Sequence, residues 1–425
     1  MRIHRRLALA AVVAAILHAP LLVGSPAGDW LQWGGAGRNF MPEASGLASS
    51  WPANGPKRLW TRPLGEGHSA ILAEGGRIYT MYRPSAPGGG RRGQEETVAA
   101  LDAATGKTVW EHTYPAPVDG LDFSQGAGPH ATPLIAGNRI FAVSTRKELL
   151  ALDKATGKRL WSHDFMREYG SPSAGRGYAC SPLLYNGTVI VPVGGRGQGM
   201  AAFDQHTGAL VWKAGDFDES PASPLMIEVD GQPQLVAFAG DRVAGIDPAS
   251  GRVYWHAPHK TDWGLNISTP VWSPSDHLLF VSAAYNTGSR AIELRQSGGK
   301  TSVAEKWFNG RMRVHIGTII RLGDHVYASS GDFGPAFLTA IDLKSGKIVW
   351  QDRSFARAQL LYADNKLIIL DEDGNLGLAT VSPQGLKVLA RAAVLSNVAW
   401  TPPTLSGTTL YARDRKTISA FSLAP

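Results

Sequence analysis

The chain has 425 residues, enough for two or three ordinary domains or for one large repeat fold. Apolar residues make up 44% and charged residues only 18%, which supports a large core and excludes a disordered chain, a coiled coil and long solvated helices. Gly 49 and Pro 27 without a collagen period point to many tight turns and so to many short strands, and a formal charge of +7 without a dense basic cluster offers no nucleic-acid surface.

Residues 1–27 read as a signal peptide. Arg2, Arg5 and Arg6 form its basic start, Leu7 to Val23 its apolar stretch, and Ser25-Pro26-Ala27 its small-residue cleavage site. A retained anchor is the competing reading, but the stretch is slightly short for a span and contains His18 and Pro20. Without those three arginines the positive excess falls from seven to four. Residues 28–425 are then expected to form one domain, monomeric, periplasmic or secreted, with no membrane span. Cys180 is the only cysteine, so no intrachain disulfide forms, and no cysteine follows the apolar stretch to carry a lipid. A small buried hydrophobe is the better reading of Cys180 than a nucleophile.

Lys57-Arg-Leu-Trp60 reads as the last strand of a sheet whose earlier strands do not precede it. An eleven-residue pattern follows, first as Ala100 to Trp110. It returns as Ala151 to Trp161, Ala202 to Trp212, Gly245 to Trp255 and Ala340 to Trp350, with Asp third, Gly seventh and Trp eleventh each time. The chemistry is that of a hairpin. Alternating apolar residues flank a turn in which the Asp carboxylate accepts backbone N–H groups, Thr or Ser adds a hydroxyl, and Gly supplies a positive φ. Degenerate copies close at Trp307, after a lengthened turn, and at Leu389, where a Trp is expected. The closing positions 60, 110, 161, 212, 255, 307, 350 and 389 lie 39 to 52 residues apart. A four-stranded propeller blade takes about 40–50 residues. The fold expected is all-β, an eight-bladed β-propeller of four-stranded antiparallel blades. Three runs remain after Leu389, namely Trp400–Leu405, Thr409–Arg413 and Thr417–Ser422, so the strand at Trp60 completes the eighth blade and the ring is closed by both termini. Runs such as His130-Ala-Thr-Pro-Leu, Ala179-Cys-Ser-Pro-Leu and Pro221-Ala-Ser-Pro-Leu open the innermost strands, where small residues fit a crowded axis.

These motifs resemble the PQQ-like, or quinoprotein-like, β-propeller repeat family, whose tryptophan-docking motif is Ala-x-Asp-x-x-x-Gly-Lys-x-x-Trp. The resemblance covers about residues 29–424, including the opening Asp29-Trp-Leu-Gln-Trp-Gly-Gly. It implies that Trp60, Trp110, Trp161, Trp212, Trp255, Trp307 and Trp350 wedge between neighbouring blades. It also implies two functional branches. One contains dehydrogenases that use PQQ and calcium. The other contains protein-binding propellers without a cofactor, among them the scaffold lipoprotein of the outer-membrane β-barrel assembly machine. A single cysteine departs from the adjacent-cysteine disulfide of many of the enzymes, and the missing lipidation cysteine departs from the scaffold.

Candidate site residues fall into two sets. The two long segments after Trp110 and Trp161 carry Tyr114, Asp119, Asp122, Arg167, Glu168, Tyr169 and Arg176, which form either a binding rim or blade-edge cover. His68, His130, Tyr178, Asn266, Arg313, His315 and Gln359 precede or open inner strands, near one mouth of the channel. They form either a site for an anionic or quinone-like ligand or a solvated lining. Asp371-Glu-Asp-Gly-Asn-Leu-Gly377 lacks the glutamate that ends a calcium loop and reads as a turn. Neither a hydrolase nor a zinc motif is present. The leading reading is a non-catalytic envelope module, cofactor-free, that binds a protein or peptide. The alternative is a PQQ- and calcium-dependent dehydrogenase in which Asp119, Asp122, Glu168 or Asn266 contributes. The second alternative is a carbohydrate or small-molecule binder using Tyr114, Tyr169, Tyr178, Trp263 and Trp400. Fold alone does not choose among them.

Overall fold

The computed structural model describes residues 28–86 and 93–425. The expected signal peptide and the Arg91-Arg92 pair lie outside the described residues. Thirty-two strands form eight separate four-stranded antiparallel sheets, in the order of the chain. The described residues include one helix, Phe165–Tyr169, and none long and apolar enough to cross a membrane. The structure is the eight-bladed propeller that the repeat implies. Its last blade joins Thr404–Ser406, Thr409–Arg413 and Thr417–Ser422 to Lys57–Pro63, with Trp60 opposite Ala420. The inner strand starts at Thr404 rather than Trp400, because Pro402 and Pro403 donate no ladder hydrogen bond.

The repeated hairpin forms for local reasons. Asp102 Oδ1 accepts from the Thr105 amide at 2.8 Å and from its hydroxyl at 2.6 Å, while Gly106 turns at φ 70°. Asp153, Asp204 and Asp342 repeat the arrangement with Thr156, Thr207 and Ser345. The Thr hydroxyl holds the carboxyl of Asp102 below its ordinary pKa. A bulge between Ala100 and Leu101 in the ladder then sets Trp110 at its fixed height.

Each docking glycine supports the ring of the preceding blade. Trp110 lies on Gly157, where a Cβ would stand 2.4 Å from the indole, and Trp110 Nε1 donates to Lys154 O at 3.0 Å. Trp60 does the same on Gly106 and Ala103 O, Trp212 on Gly251 and Pro248 O, and Trp307 on Gly346 and Leu343 O. Trp161 lies on Gly208, but its indole N–H has no partner among the described residues. Trp350 donates to Ser382 O at 2.9 Å.

Two positions depart from the expectation. Trp255 does not reach a following glycine. Its Nε1 donates to Gln234 Oε1 at 2.6 Å, and its ring lies across Gly245 of its own blade. The next hairpin, Ser289–Ser297 with Lys300–Asn309, is lengthened and has no docking glycine at the required height. In the seventh blade the bulge puts Ala390, not Leu389, opposite Leu378 at the docking register.

Near the axis, the small residues before each proline do more than fit. Ala70 N donates to Thr132 Oγ1 at 2.9 Å, Thr132 N to Ser181 Oγ at 3.0 Å, and Ser181 N to Ser223 Oγ at 3.0 Å. Side-chain hydroxyls thus stitch the first four blades together where no ladder joins them. The intervening strands are apolar and fully buried, as at Ile78, Val98, Ile140 and Leu150, so burial supplies most of the cohesion between blades.

Candidate functional site: a channel plugged at one end

The inner strands surround an axial channel, and residues 28–40 cross it. Trp30 exchanges two backbone hydrogen bonds with Ala73, at 2.7 and 3.0 Å. Leu31 O accepts from Ile135 N, and Phe40 O accepts from Tyr362 N. Trp33 Nε1 donates to Thr269 Oγ1 at 2.8 Å, and Arg38 Nη1 to Pro182 O at 3.0 Å. Five different blades are therefore bound by one short segment. Gly34 makes its fold-back possible, since it turns at φ 74° and a Cβ would stand 2.7 Å from the Arg38 carbonyl carbon. Trp33, Arg38 and Phe40 form the floor of a cavity of about 1050 Å³.

At the mouth, His68 and His130 stack with centroids 5.5 Å apart and planes 8° from parallel, and Trp400 leans on His68. His68 Nε2 lies 3.1 Å from Gln125 O, and His130 Nε2 lies 3.2 Å from Arg176 O. Tyr178 lines the wall, and its hydroxyl donates to Pro192 O at 2.8 Å. His315 Nε2 lies 2.6 Å from the Tyr285 hydroxyl. Burial lowers the pKa of His130 and of His315 to about 4, and burial with the neighbouring His130 takes His68 well below its ordinary value. All three imidazoles are therefore neutral near pH 7. They offer stacking faces and hydrogen bonds, not positive charge.

The other mouth candidates do not come to the cavity. Asn266 is buried and gives both amide hydrogens to carbonyls, Ala239 O at 2.6 Å and His259 O at 3.1 Å. Gln359 does the same with Ile316 O and Trp400 O. Arg313 Nε donates to Gly310 O, away from the cavity lining. Of the seven candidates on the long segments, only Asp122 and Arg176 line the cavity, paired at 3.0 Å. Tyr114 is buried and donates to Glu96, itself ion-paired to Arg83 at 2.7 Å between the first two blades. Asp119 offers only its carbonyl, to Arg146. Glu168 sits 2.6 Å from His163, Arg167 is exposed beside it, and Tyr169 packs against Phe203.

Sequence reasoning missed Trp33, Arg38, Phe40, Tyr285 and Phe333. Tyr285 and Phe333 join Trp263 in a cluster with centroids 5.1 to 5.7 Å apart, and Arg176 lies 5.4 Å above the Trp263 ring. A signal existed. Each is the one large aromatic residue in a connection of small ones, Ala283-Ala-Tyr-Asn-Thr287 and Gly331-Asp-Phe-Gly-Pro335. Tyr285 also holds a φ of 55°, unusual for a bulky residue.

The donor set does not fit calcium beside a quinone. Among the described residues, no three His, Cys, Asp or Glu side chains stand together to hold a metal. Of the six lining carboxylates, Asp122, Glu219 and Asp241 are ion-paired to Arg176, Lys147 and Arg242, Asp216 accepts from the Gly197 amide, Asp262 accepts from Asn286 Nδ2, and Asp218 also lines the cavity. Asn266, the amide offered for such a site, gives its hydrogens to backbone, and its buried Oδ1, without a partner among the described residues, lies behind the cavity lining.

Residues 94–352 match the family described as outer membrane protein assembly factor BamB. A curated relative from Moranella endobia with that same description is 24% identical over 62% of this chain and 67% of its own length. The dehydrogenase subunit of a quinone alcohol dehydrogenase from Gluconobacter oxydans is 27% identical over 54% of this chain and 32% of its own. The chain thus spans about a third of that enzyme subunit. BamB from Moraxella catarrhalis superposes with a TM-score of 0.56 at 17% identity, covering 86% of this chain and 97% of that one. The quinohemoprotein alcohol dehydrogenase ADHIIG from Pseudomonas putida superposes at 0.60 and 13% identity, covering 93% and 80%. At these identities the superpositions show the shared fold.

Proposed function

This chain belongs to the family described as outer membrane protein assembly factor BamB, and on that premise we propose that it is a non-catalytic binding propeller of the cell envelope, periplasmic or secreted, that engages a protein or peptide partner at the mouth of its plugged channel. The observation that carries the reading is the aromatic cluster. Trp263 is 55% exposed and Phe333 70% exposed, side by side at the rim and backed by Tyr285. A contiguous exposed aromatic patch marks an interaction surface, and Trp and Tyr with a stacked Arg are the residue types that dominate binding energy. The outer-edge apolar residues Val109, Leu160 and Val349 are exposed singly, one per blade, and carry no such argument.

The relatives that are quinone dehydrogenases favour the enzyme alternative, with PQQ and calcium. The absence of any three His, Cys, Asp or Glu side chains standing together among the described residues, and the position of Asn266 behind the cavity lining, weigh against it. The test of the proposal is a photoreactive side chain placed at Phe333, with a control at Val349. A discrete covalent adduct with one envelope protein, formed in cells from position 333 and not from 349, is the expected result. Adducts of equal yield from both positions, or from neither, would remove the rim as the binding face.

A further inference from the structure

Resting on the reading of the mouth as a docking face, we propose that the channel receives the extended C-terminal end of a partner polypeptide, with its terminal carboxylate set toward Arg38 on the floor and the preceding side chains against Trp263, Tyr285 and Phe333.

The shape selects a chain end. Residues 28–40 bind five blades and plug one end of the channel, so a segment cannot run through it. The walls suit a main chain. Gly177, Ser220, Ser223, Gly240, Ser268 and Gly317 line the cavity, and their small side chains let a backbone approach closely.

The charge selects which end. Arg38 is 5% exposed, and its partners are all neutral: Pro182 O at 3.0 Å, Gln32 Oε1 at 3.1 Å and Ser181 O at 3.4 Å. Its Nε has no partner among the described residues. Burial alone lowers its pKa, to about 9, so it is still a cation at neutral pH and no carboxylate offsets its desolvation. A buried cation without a counter-ion favours an incoming anion and opposes an incoming ammonium. His68, His130 and His315 are neutral and add nothing to that preference, and the lining carboxylates Asp216, Asp218 and Asp262 oppose an anion beside them, so the preference for a carboxylate is confined to the floor at Arg38.

The experiment is a pair of random heptapeptide display selections on the purified protein, one library with free C-termini and one with free N-termini. Enrichment from the first library only is expected. A selected peptide, made as acid and as C-terminal amide, is expected to bind at least about tenfold tighter as the acid, the effect of one charge-assisted hydrogen-bonded contact. Arg38→Gln is expected to abolish the difference between acid and amide, and Arg38→Lys to keep part of it. The acid–amide comparison on the unaltered protein stands even if a variant fails to fold. Equal enrichment from both libraries, no enrichment, or equal binding of acid and amide overturns the inference. Displacement of the peptide by acetate at matched concentration overturns it in favour of a small organic acid. A partner adduct at position 333 without any acid preference would leave the docking face standing and remove only the carboxylate pocket.

Discussion

Trp255 donates its indole N–H to Gln234 Oε1 at 2.6 Å, and this bond replaces the docking contact that the other blades make with a glycine of the next hairpin. Gln234 passes the connection on, since its Nε2 donates to Thr301 Oγ1 at 2.8 Å on the lengthened hairpin of the fifth blade. The first residue of the eleven-residue pattern explains why. It is Ala at four positions and Gly245 here, and a Cβ on Gly245 would stand 2.0 Å from Trp255 Nε1. Restoring the repeat consensus should therefore destabilise the protein. Gly245→Ala is expected to cost about 1–3 kcal/mol, as overpacking does. The reverse change at a regular position, Ala340→Gly, lacks this clash. Thermal unfolding of the two variants side by side checks the contrast. An unchanged Gly245→Ala melting temperature would mean that Trp255 has another place to go.

Ring closure rests on Arg413. It is fully buried in the last blade and donates to Met81 O at 2.6 Å, Gly65 O at 3.2 Å and Thr80 Oγ1 at 3.3 Å, all in or beside the first blade. Arg413→Met keeps an unbranched side chain but leaves buried carbonyls without a donor, each worth about 1–3 kcal/mol. The expected loss is at least about 3 kcal/mol, with the greatest gain in hydrogen exchange at the Lys57–Pro63 strand, which pairs with Thr417–Ser422 to complete the last blade. Loss of stability without faster exchange there would place the role of Arg413 elsewhere.

The repeat, the Asp turn and the closure by both termini were legible because each is local and periodic. Asp102 bonds to Thr105 three residues away, and the same three-residue step recurs at Asp153, Asp204 and Asp342. The candidate site was half legible for a physical reason. Register along an inner strand places a residue near the mouth but does not say which way its side chain turns. His68, His130, Tyr178 and His315 face the cavity, whereas Asn266 and Gln359 satisfy carbonyls behind it. The plug left almost no signal. It occurs once, and its partners Thr269 and Tyr362 lie hundreds of residues away, so no period reveals it.

Acid should weaken the fold through its buried histidines. Burial lowers the pKa of His259 to about 3 and of His315 to about 4, while the unfolded chain binds those protons near pH 6.5. The unfolded state therefore holds more protons between these values, and stability falls as pH falls below about 6.5. Each histidine held neutral contributes a slope of up to about 1.4 kcal/mol per pH unit. Neither ring nitrogen of His259 has a partner among the described residues, so its removal breaks no hydrogen bond there. His259→Phe is expected to flatten the stability profile between pH 5 and 6.5 by up to one proton. Denaturant titrations across that range test it, and an unaltered slope would mean that His259 takes up its proton in the folded state.

The enzyme alternative makes the opposite prediction from the proposed function in a single titration. Trp33, Trp263 and Trp400 all line the cavity, at its floor, rim and mouth, so a quinone entering at any depth comes beside an indole. PQQ absorbs and would quench them. With no three His, Cys, Asp or Glu side chains standing together among the described residues and Asn266 behind the cavity lining, calcium finds no ready set of oxygen donors near the mouth. The expected result is therefore tryptophan emission that does not respond to PQQ in the presence of calcium, on protein whose melting temperature is also unmoved. Saturable quenching that requires calcium would reverse the conclusion. It would require lining carboxylates such as Asp216, Asp218 and Asp262 to gather on the ion, and Arg176→Gln would then strengthen calcium binding by freeing Asp122 to join them.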